Sequence, residues 1–417
     1  MKHAILAGLV LLVGGWCLAA DWPRWRGPDG NGHVPTGVAV PKTLPDEPRT
    51  IWQVKTGTGL GSPVVAGGKV FYLDHQQGKE VVHAADAASG SELWSAPLDA
   101  VFKDFQSVAG PRSTPVVDGD RVYVQSCRGE FQCLNVADGK PVWRINFVKD
   151  FGAVFIGETG DATGARRHGN TGSPLVDGDR LLVCVGGKDA SVVCFNKRDG
   201  QVIWKSQNDV PGYSGPVIAT IAGTRQVIAY TVEGVIGLDA GDGRLLWRSP
   251  LKTSFGRHVT TPIVVDNMVV VSSFQAGLIG MRISKQGDAF AAERAYAAKG
   301  AAINFMNPVA AGNYLYGLGP SKTLLCVDVR TGEKAWAKEG FFSGMTEKDY
   351  AGFVVMGDSI LILTENGQLL LVGADPKECR LISKVQVCGQ NWCNPAYADG
   401  RLYLRDAKEL RCVQLMP

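Results

Sequence analysis

The chain has 417 residues, 45% of them hydrophobic, and a formal net charge of only +3. These values exclude a disordered chain, and with no basic run and no aromatic–basic interleaving they give no footing for nucleic acid. The 52 glycines are spread along the chain rather than clustered, which fits many tight turns in one large closed domain.

The first predicted element is a targeting segment. Lys2 and His3 precede an apolar stretch from Ala4 to Leu18, then Ala19 and Ala20. This is short for a membrane span and suits a cleaved secretory signal over residues 1–20, with Asp21 first in a mature chain exported to the periplasm or cell envelope. Cys17 offers a lipid-anchor alternative, which the bulky Trp16 before it fits poorly. Residues 21–49 form an N-terminal extension that opens DWPRWRGPDGNG. Two exposed tryptophans would be costly, so this segment is expected to pack across one face of the following domain; a partner-binding tail is the alternative. Its DGNG at Asp29 lacks the later acidic ligand of a calcium loop and reads as a turn.

From residue 50 to 417 one unit returns. It ends on Trp94, Trp143, Trp204, Trp247 and Trp336, each preceded by a Gly a few residues earlier. Each copy opens with a short apolar run, as SPVV at Ser62, TPVV at Thr114, SPLV at Ser173, GPVI at Gly215, TPIV at Thr261 and NPVA at Asn307. Gly/Asp turns separate further β-branched runs, which read as strands in a meander, four per unit. A fixed period of this kind predicts an all-β, eight-bladed β-propeller of four-stranded blades. Further blades open near Ala351 and Asn394; seven blades stand as the alternative if the seventh unit is irregular. The fifth unit carries Tyr296 where tryptophan is expected, and the seventh ends near Val385 without an aromatic. The eighth stops after three strands, and the strand RTIWQVK with Trp52 is expected to complete it and close the ring.

A column of small residues, Ala84, Cys133, Cys194, Gly237, Cys326 and Cys412, is expected at a crowded inter-blade contact. Ten cysteines in an exported chain also raise disulfides. Cys127 with Cys133, and Cys184 with Cys194, flank predicted hairpins, and Cys388 and Cys393 bracket the loop GQNW; bridges at these pairs and buried free thiols are the two readings.

No nucleophile motif, Walker loop or haem-attachment site is present, and no two of the six histidines lie at metal-ligand spacing, so neither a catalytic residue nor a metal site is assigned. One constellation rises above this. The loops that lead into the innermost strands end in Arg112, Arg167, His168, Tyr213, Arg257, His258, Asn307, Trp392 and Asn394. In a propeller these positions converge on one channel mouth, where several donors would suit an anionic or hydroxyl-rich ligand. The bland reading is that they line a water-filled channel and satisfy loop carbonyls. The loop Arg144 to Gly172 carries Glu158 and Asp161 beside Arg166 and Arg167, and carboxylates facing those arginines would form ion pairs instead of a ligand site.

The recurring D-x-x-T/D-G-x-x-x-W unit resembles the repeat of the pyrroloquinoline quinone-type β-propeller superfamily over residues 50–417. Two branches are relevant. The first is the quinoprotein dehydrogenases, which imply pyrroloquinoline quinone with calcium at the channel mouth; this chain lacks their adjacent cysteine pair and a recognisable calcium set. The second is the non-enzymatic propeller subunit of the outer-membrane β-barrel assembly machinery, similar in length, blade count and export. That resemblance implies a monomeric scaffold without cofactor or intrinsic catalysis. It would bind an envelope protein, peptide or glycan and meet the membrane only through that partner or an anchor. The quinoprotein dehydrogenase is the alternative.

Overall fold

The computed structural model describes residues 21–342 and 350–416. The assigned signal over residues 1–20, with Cys17, lies outside them. Among the described residues, thirty-two strands form eight four-stranded antiparallel sheets. Seven are sequential meanders: residues 64–100, 116–146, 175–206, 217–250, 263–298, 309–338 and 351–386. The eighth takes three strands from residues 396–414 and its outermost strand from Arg49–Lys55. Trp52 stands opposite Cys412 and Lys55 opposite Glu409, so the two ends of the chain close the ring in one sheet.

The repeat tryptophan sits on the outermost strand of its blade and joins that blade to the next. Trp52 Nε1 donates to Ala87 O (3.0 Å), Trp94 to Val136 O (2.9 Å), Trp143 to Lys197 O (3.1 Å), Trp204 to Ala240 O (3.3 Å) and Trp336 to Asp375 O (2.9 Å). The repeat glycine of the next blade lies against the same indole with positive φ, as Gly90 on Trp52 and Gly139 on Trp94. Only a residue without Cβ tolerates both the left-handed backbone and that approach. Tyr296 replaces the indole in the fifth blade and meets Gly332 in the same way. Trp247 departs: its Nε1 donates within its own blade to Gln226 Oε1 (2.6 Å), and the next blade has the long hairpin Gly277–Gln286 and Ala289–Ala298 in place of the repeat turn. The seventh blade, with no aromatic on its outermost strand, is covered by Leu44, whose N–H donates to Ser383 Oγ (2.9 Å).

The small-residue column lies at the inter-blade contact, as expected, where Ala84 and Cys194 pack in clusters with residues of the next blade. Each member faces the aromatic of its own blade: Ala84 opposite Trp94, Cys133 opposite Trp143, Cys194 opposite Trp204, Gly237 opposite Trp247, Cys326 opposite Trp336. A Cβ on Gly237 would lie 2.1 Å from the Trp247 ring, so it is the blade's own aromatic that makes this position crowded. Of the two readings for the cysteines, the free thiols hold: Cys127, Cys133, Cys184, Cys194, Cys388 and Cys393 form no bridges. Register explains one pair, since Cys184 faces Val192 while Cys194 faces Leu182. Cys393 instead donates to Gly61 O (3.5 Å), and Cys388 Sγ accepts from Asn391.

The extension packs, as expected, against the innermost strands. Trp22 and Val65 exchange backbone hydrogen bonds (2.8 and 2.9 Å), Val117 N–H donates to Pro23 O (2.8 Å), and Val34 N–H donates to Val355 O (2.9 Å). Buried Arg26 donates to Pro308 O (2.8 Å) and Tyr397 Oη to Ala39 O (2.7 Å). These bonds satisfy edge groups that would otherwise face the channel unpaired.

Candidate functional site at the channel mouth

A second ring of hydrogen bonds lies at the start of the innermost strands. Asn394 N–H donates to Ser62 Oγ (2.9 Å), Ser62 N–H to Thr114 Oγ1 (3.1 Å) and Thr114 N–H to Ser173 Oγ (3.0 Å). Thr261 N–H donates to Asn307 Oδ1 (2.5 Å). The Ser/Thr/Asn-Pro step is therefore a belt: the proline gives up its own N–H, and the preceding side chain accepts from the neighbouring blade. Gly215 has no side chain to offer at the fourth blade.

Above this belt lies a cavity of about 530 Å³. Its lining includes Arg112, His168, Tyr213, Arg257, Asn307 and Trp392 from the sequence expectation. Three expected members fall elsewhere. His258 is fully buried, stacked on Tyr230 at 4.2 Å, with Nδ1 bound to Thr231 O (2.6 Å); burial pushes its pKa down to about 4, so it is a neutral core group. Asn394 serves the belt. Arg167 stacks over Phe255 (4.6 Å) and pairs with Glu158 (3.8 Å) outside the lining. Asn307 does line the cavity, with its carbonyl oxygen already engaged by Thr261.

The ionic wall is paired internally. Arg112 donates to Asp104 Oδ2 (2.7 Å), Ser107 Oγ (2.6 Å) and His168 O (3.1 Å). His168 Nδ1 lies 2.9 Å from the same Asp104 oxygen and 3.8 Å from Glu158. Asp104 Oδ1 accepts from the N–H groups of Gln106 and Ser107. Burial works to raise the Asp104 pKa, but the His168 bond and the Arg112 charge outweigh it and hold the carboxyl well below the usual range. Glu158 Oε2 accepts from Phe105 N–H (2.7 Å), tying the loop after the first blade to the long loop after the second. Asp104, Glu158 and His168 are close enough to share a cation, yet Arg112 and Arg167 already occupy that carboxylate pair.

The opposite wall is aromatic. Trp392 stacks near-parallel to Tyr350 (5.9 Å, 15°) and tilts against Phe305 (6.2 Å). Trp25 of the extension also lines the cavity, with Nε1 donating to Thr261 Oγ1 (3.2 Å). Arg257 stacks on Phe274 (5.3 Å) and is the one cavity-lining arginine without an acidic partner among the described residues. The hydroxyls of Tyr213 and Ser214 are buried without a partner. Sequence reasoning missed Asp104, Trp25, Phe305 and Tyr350. Only Asp104 carried a local signal, since DFQS is an Asp turn that its Ser107 hydroxyl completes.

Comparison with known proteins is consistent with this geometry. The family model for outer membrane protein assembly factor BamB matches residues 45–111 and 78–338. Among curated relatives, the BamB of Yersinia pestis is 22% identical over 77% of this chain and 77% of its own length. That of Shewanella oneidensis is 23% identical over 100% and 99%. The solved BamB of Moraxella catarrhalis superposes with a TM-score of 0.59 at 14% identity, covering 88% of this chain and 98% of that one. The quinohemoprotein alcohol dehydrogenase of Comamonas testosteroni gives 0.63 at 13%, covering 94% and 80%; at such identities the likeness is one of fold. With its eight blades, its ring closure and a family match spanning most of its length, the chain belongs to the family of outer membrane protein assembly factor BamB.

Proposed function

We propose that the protein is an exported cell-envelope scaffold that binds an envelope protein at its channel-mouth face, in support of outer-membrane protein assembly, and has no catalysis of its own. The role is extended from the names of its relatives. The observation that carries it is the pairing at the mouth: the Asp104 and Glu158 carboxylates are engaged by Arg112, Arg167 and His168, an arrangement that ties the loops of this face together. Exposed apolar side chains on the surrounding loops, Phe105, Ile156 and Phe255 among them, support a binding face. The test is deletion of the gene in its host, with folded β-barrel protein in the outer membrane as the readout. A fall restored by the intact gene supports the reading, and unchanged levels overturn it.

The fold also invites the quinoprotein reading. Calcium would need carboxylate oxygens that Arg112 and Arg167 hold, with guanidinium groups 2.7–3.8 Å from those oxygens. Pyrroloquinoline quinone would bring several carboxylates to a mouth with one unpaired cavity arginine. The residues do not fit that pair of groups. A quinone-dependent rise in melting temperature of the mature protein, with or without calcium, would reverse this conclusion.

A further inference from the structure

The belt of hydrogen bonds breaks at the fourth blade. Ser62, Thr114, Ser173, Thr261, Asn307 and Asn394 each stand immediately before a proline, whereas the fourth blade reads Ser214-Gly215-Pro216, with its serine one residue early. No side chain fits at the belt position itself, since a Cβ on Gly215 would lie 2.1 Å from Ser173 O. Ser173 N–H therefore has no belt acceptor there. The Ser214 hydroxyl, on a residue only 5% exposed, is left without a protein partner, and the Tyr213 hydroxyl beside it is buried and unpartnered too. Both residues line the mouth cavity together with Arg257. Burial raises the Tyr213 pKa, and the nearby charges of Arg167, Arg257 and Arg112 work against that rise. Two of these guanidinium groups are neutralised, Arg112 by Asp104 and Arg167 by Glu158. Arg257 is held between the Phe255 and Phe274 rings (6.0 and 5.3 Å), so its planar group is set before a ligand arrives.

We propose that the break in the belt is a binding site for one carboxylate, held by the Arg257 guanidinium and the Tyr213 and Ser214 hydroxyls. The proposal rests on the reading of the mouth as a binding face and names the chemical group that face takes. A carboxylate accepts from all three donors and brings the single negative charge that Arg257 lacks. A neutral amide leaves the guanidinium without a counter-charge. A phosphate monoester brings a second charge to a wall where Arg112 and Arg167 are already neutralised. Two sources supply a carboxylate: an acidic side chain on a loop of the protein partner, or a free small acid that enters the cavity.

The test is calorimetric titration of the mature protein with two acids, the α-amide of N-acetylglutamate for the side-chain source and hexanoate for the free acid. The α-amide of N-acetylglutamine, hexanamide and methyl phosphate are the matched controls. Saturable binding of at least one acid, about tenfold or more tighter than its amide and than methyl phosphate, is expected, the size of one charge-assisted contact. The tighter of the two acids assigns the source. Bound acid should also slow the reaction of Arg257 with phenylglyoxal, read by mass spectrometry, while Arg330, outside the cavity lining, reacts as before. Arg257→Gln should remove the preference for acid over amide, and Arg257→Lys should retain part of it. Tyr213→Phe and Ser214→Ala should each weaken acid binding yet melt at or above the parent, because each removes a buried hydroxyl without a partner. A purely structural hydroxyl would do the reverse. No saturable binding of either acid, equal binding of acid and amide, or preference for methyl phosphate would each overturn the proposal. So would an Arg257→Gln variant that melts like the parent and still prefers the acid. Failure here with β-barrel levels still dependent on the gene would remove the carboxylate site alone and leave the scaffold reading in place.

Discussion

Gly139 lies against the indole face of Trp94 from the preceding blade, where a Cβ at position 139 would stand 2.5 Å from ring carbon Cε3. The same contact recurs between Gly200 and Trp143 and between Gly243 and Trp204, so the repeat glycine and the repeat tryptophan are two halves of one joint. Gly139→Ala therefore has two costs: about 1–2 kcal/mol for a left-handed backbone and about 1–3 kcal/mol for the clash. Gly119→Ala, with φ of 58° and open space around its Cβ, has only the first. Thermal melts should rank Gly139→Ala clearly below Gly119→Ala, and equal melting would remove the joint as a source of stability.

Tyr296 occupies the aromatic place of the fifth blade with its hydroxyl buried and unpartnered. Burial raises that hydroxyl's pKa, consistent with a group held away from water. Tyr296→Phe keeps the ring against Gly332 and removes the orphan, so it should raise stability by about 1 kcal/mol. A lower melting temperature would mean that the hydroxyl has a partner in solution.

Glu80 is fully buried on the first blade, with one oxygen accepting from Cys127 N–H (3.3 Å) and the other unpaired. Burial pushes its pKa up to about 7 from 4.5. A carboxyl with a raised folded pKa binds its proton more tightly in the native state. Its contribution is full below pH 4.5 and is lost as pH rises through 7, with a span of order 2–3 kcal/mol. Glu80→Gln should flatten the melting curve between pH 4.5 and 7 and raise stability at pH 8. An unchanged slope would place the proton elsewhere.

His258 acts in the opposite sense. Its folded pKa of about 4 lies below the ordinary 6.5, so the native state resists its protonation. Stability is present above pH 6.5 and is lost as pH falls from 6.5 to 4. In a Glu80→Gln background His258→Asn should reduce that acid-side loss; a slope indifferent to this second change would show that other groups govern the acid limb.

Trp22 is buried and paired with Val65, anchoring the extension at the first blade. Trp22→Ala should expose the bonds after Arg24 and Arg26 to trypsin in a protein whose blades stay resistant. Equal resistance of parent and variant would show that Arg26 and Val34 hold the segment unaided.

The fold was legible because the period, the Trp and the turn Gly are one-dimensional signals of a repeated contact, and Trp52 with the short eighth unit predicted ring closure. The small-residue column was legible as an inter-blade position, but that its size limit comes from the indole of its own blade was not, because strand register leaves no mark of its own in sequence. At the mouth, Arg112, His168, Tyr213 and Arg257 were found by their place before the innermost strands. His258 and Asn394 share that place but turn to the core and the belt, a choice made by Tyr230 and Ser62 from other blades. Trp25 and Asp104 reach the cavity from segments with no fixed phase relative to the repeat, so no spacing could announce them.

The pairing of Arg49–Lys55 with Glu409–Gln414 also sets a timetable. A chain delivered from its amino end makes the strand bearing Trp52 before any blade exists, and that strand must wait unpaired until nearly the whole polypeptide has arrived. Seven meanders can condense from local contacts as they emerge, but the circle is sealed by a single long-range encounter, late and entropically slow. Loss of the Glu409–Gln414 strand would therefore strand both an early segment and the final sheet, exposing two unpaired edges at once and marking an unfinished molecule for aggregation or proteolysis.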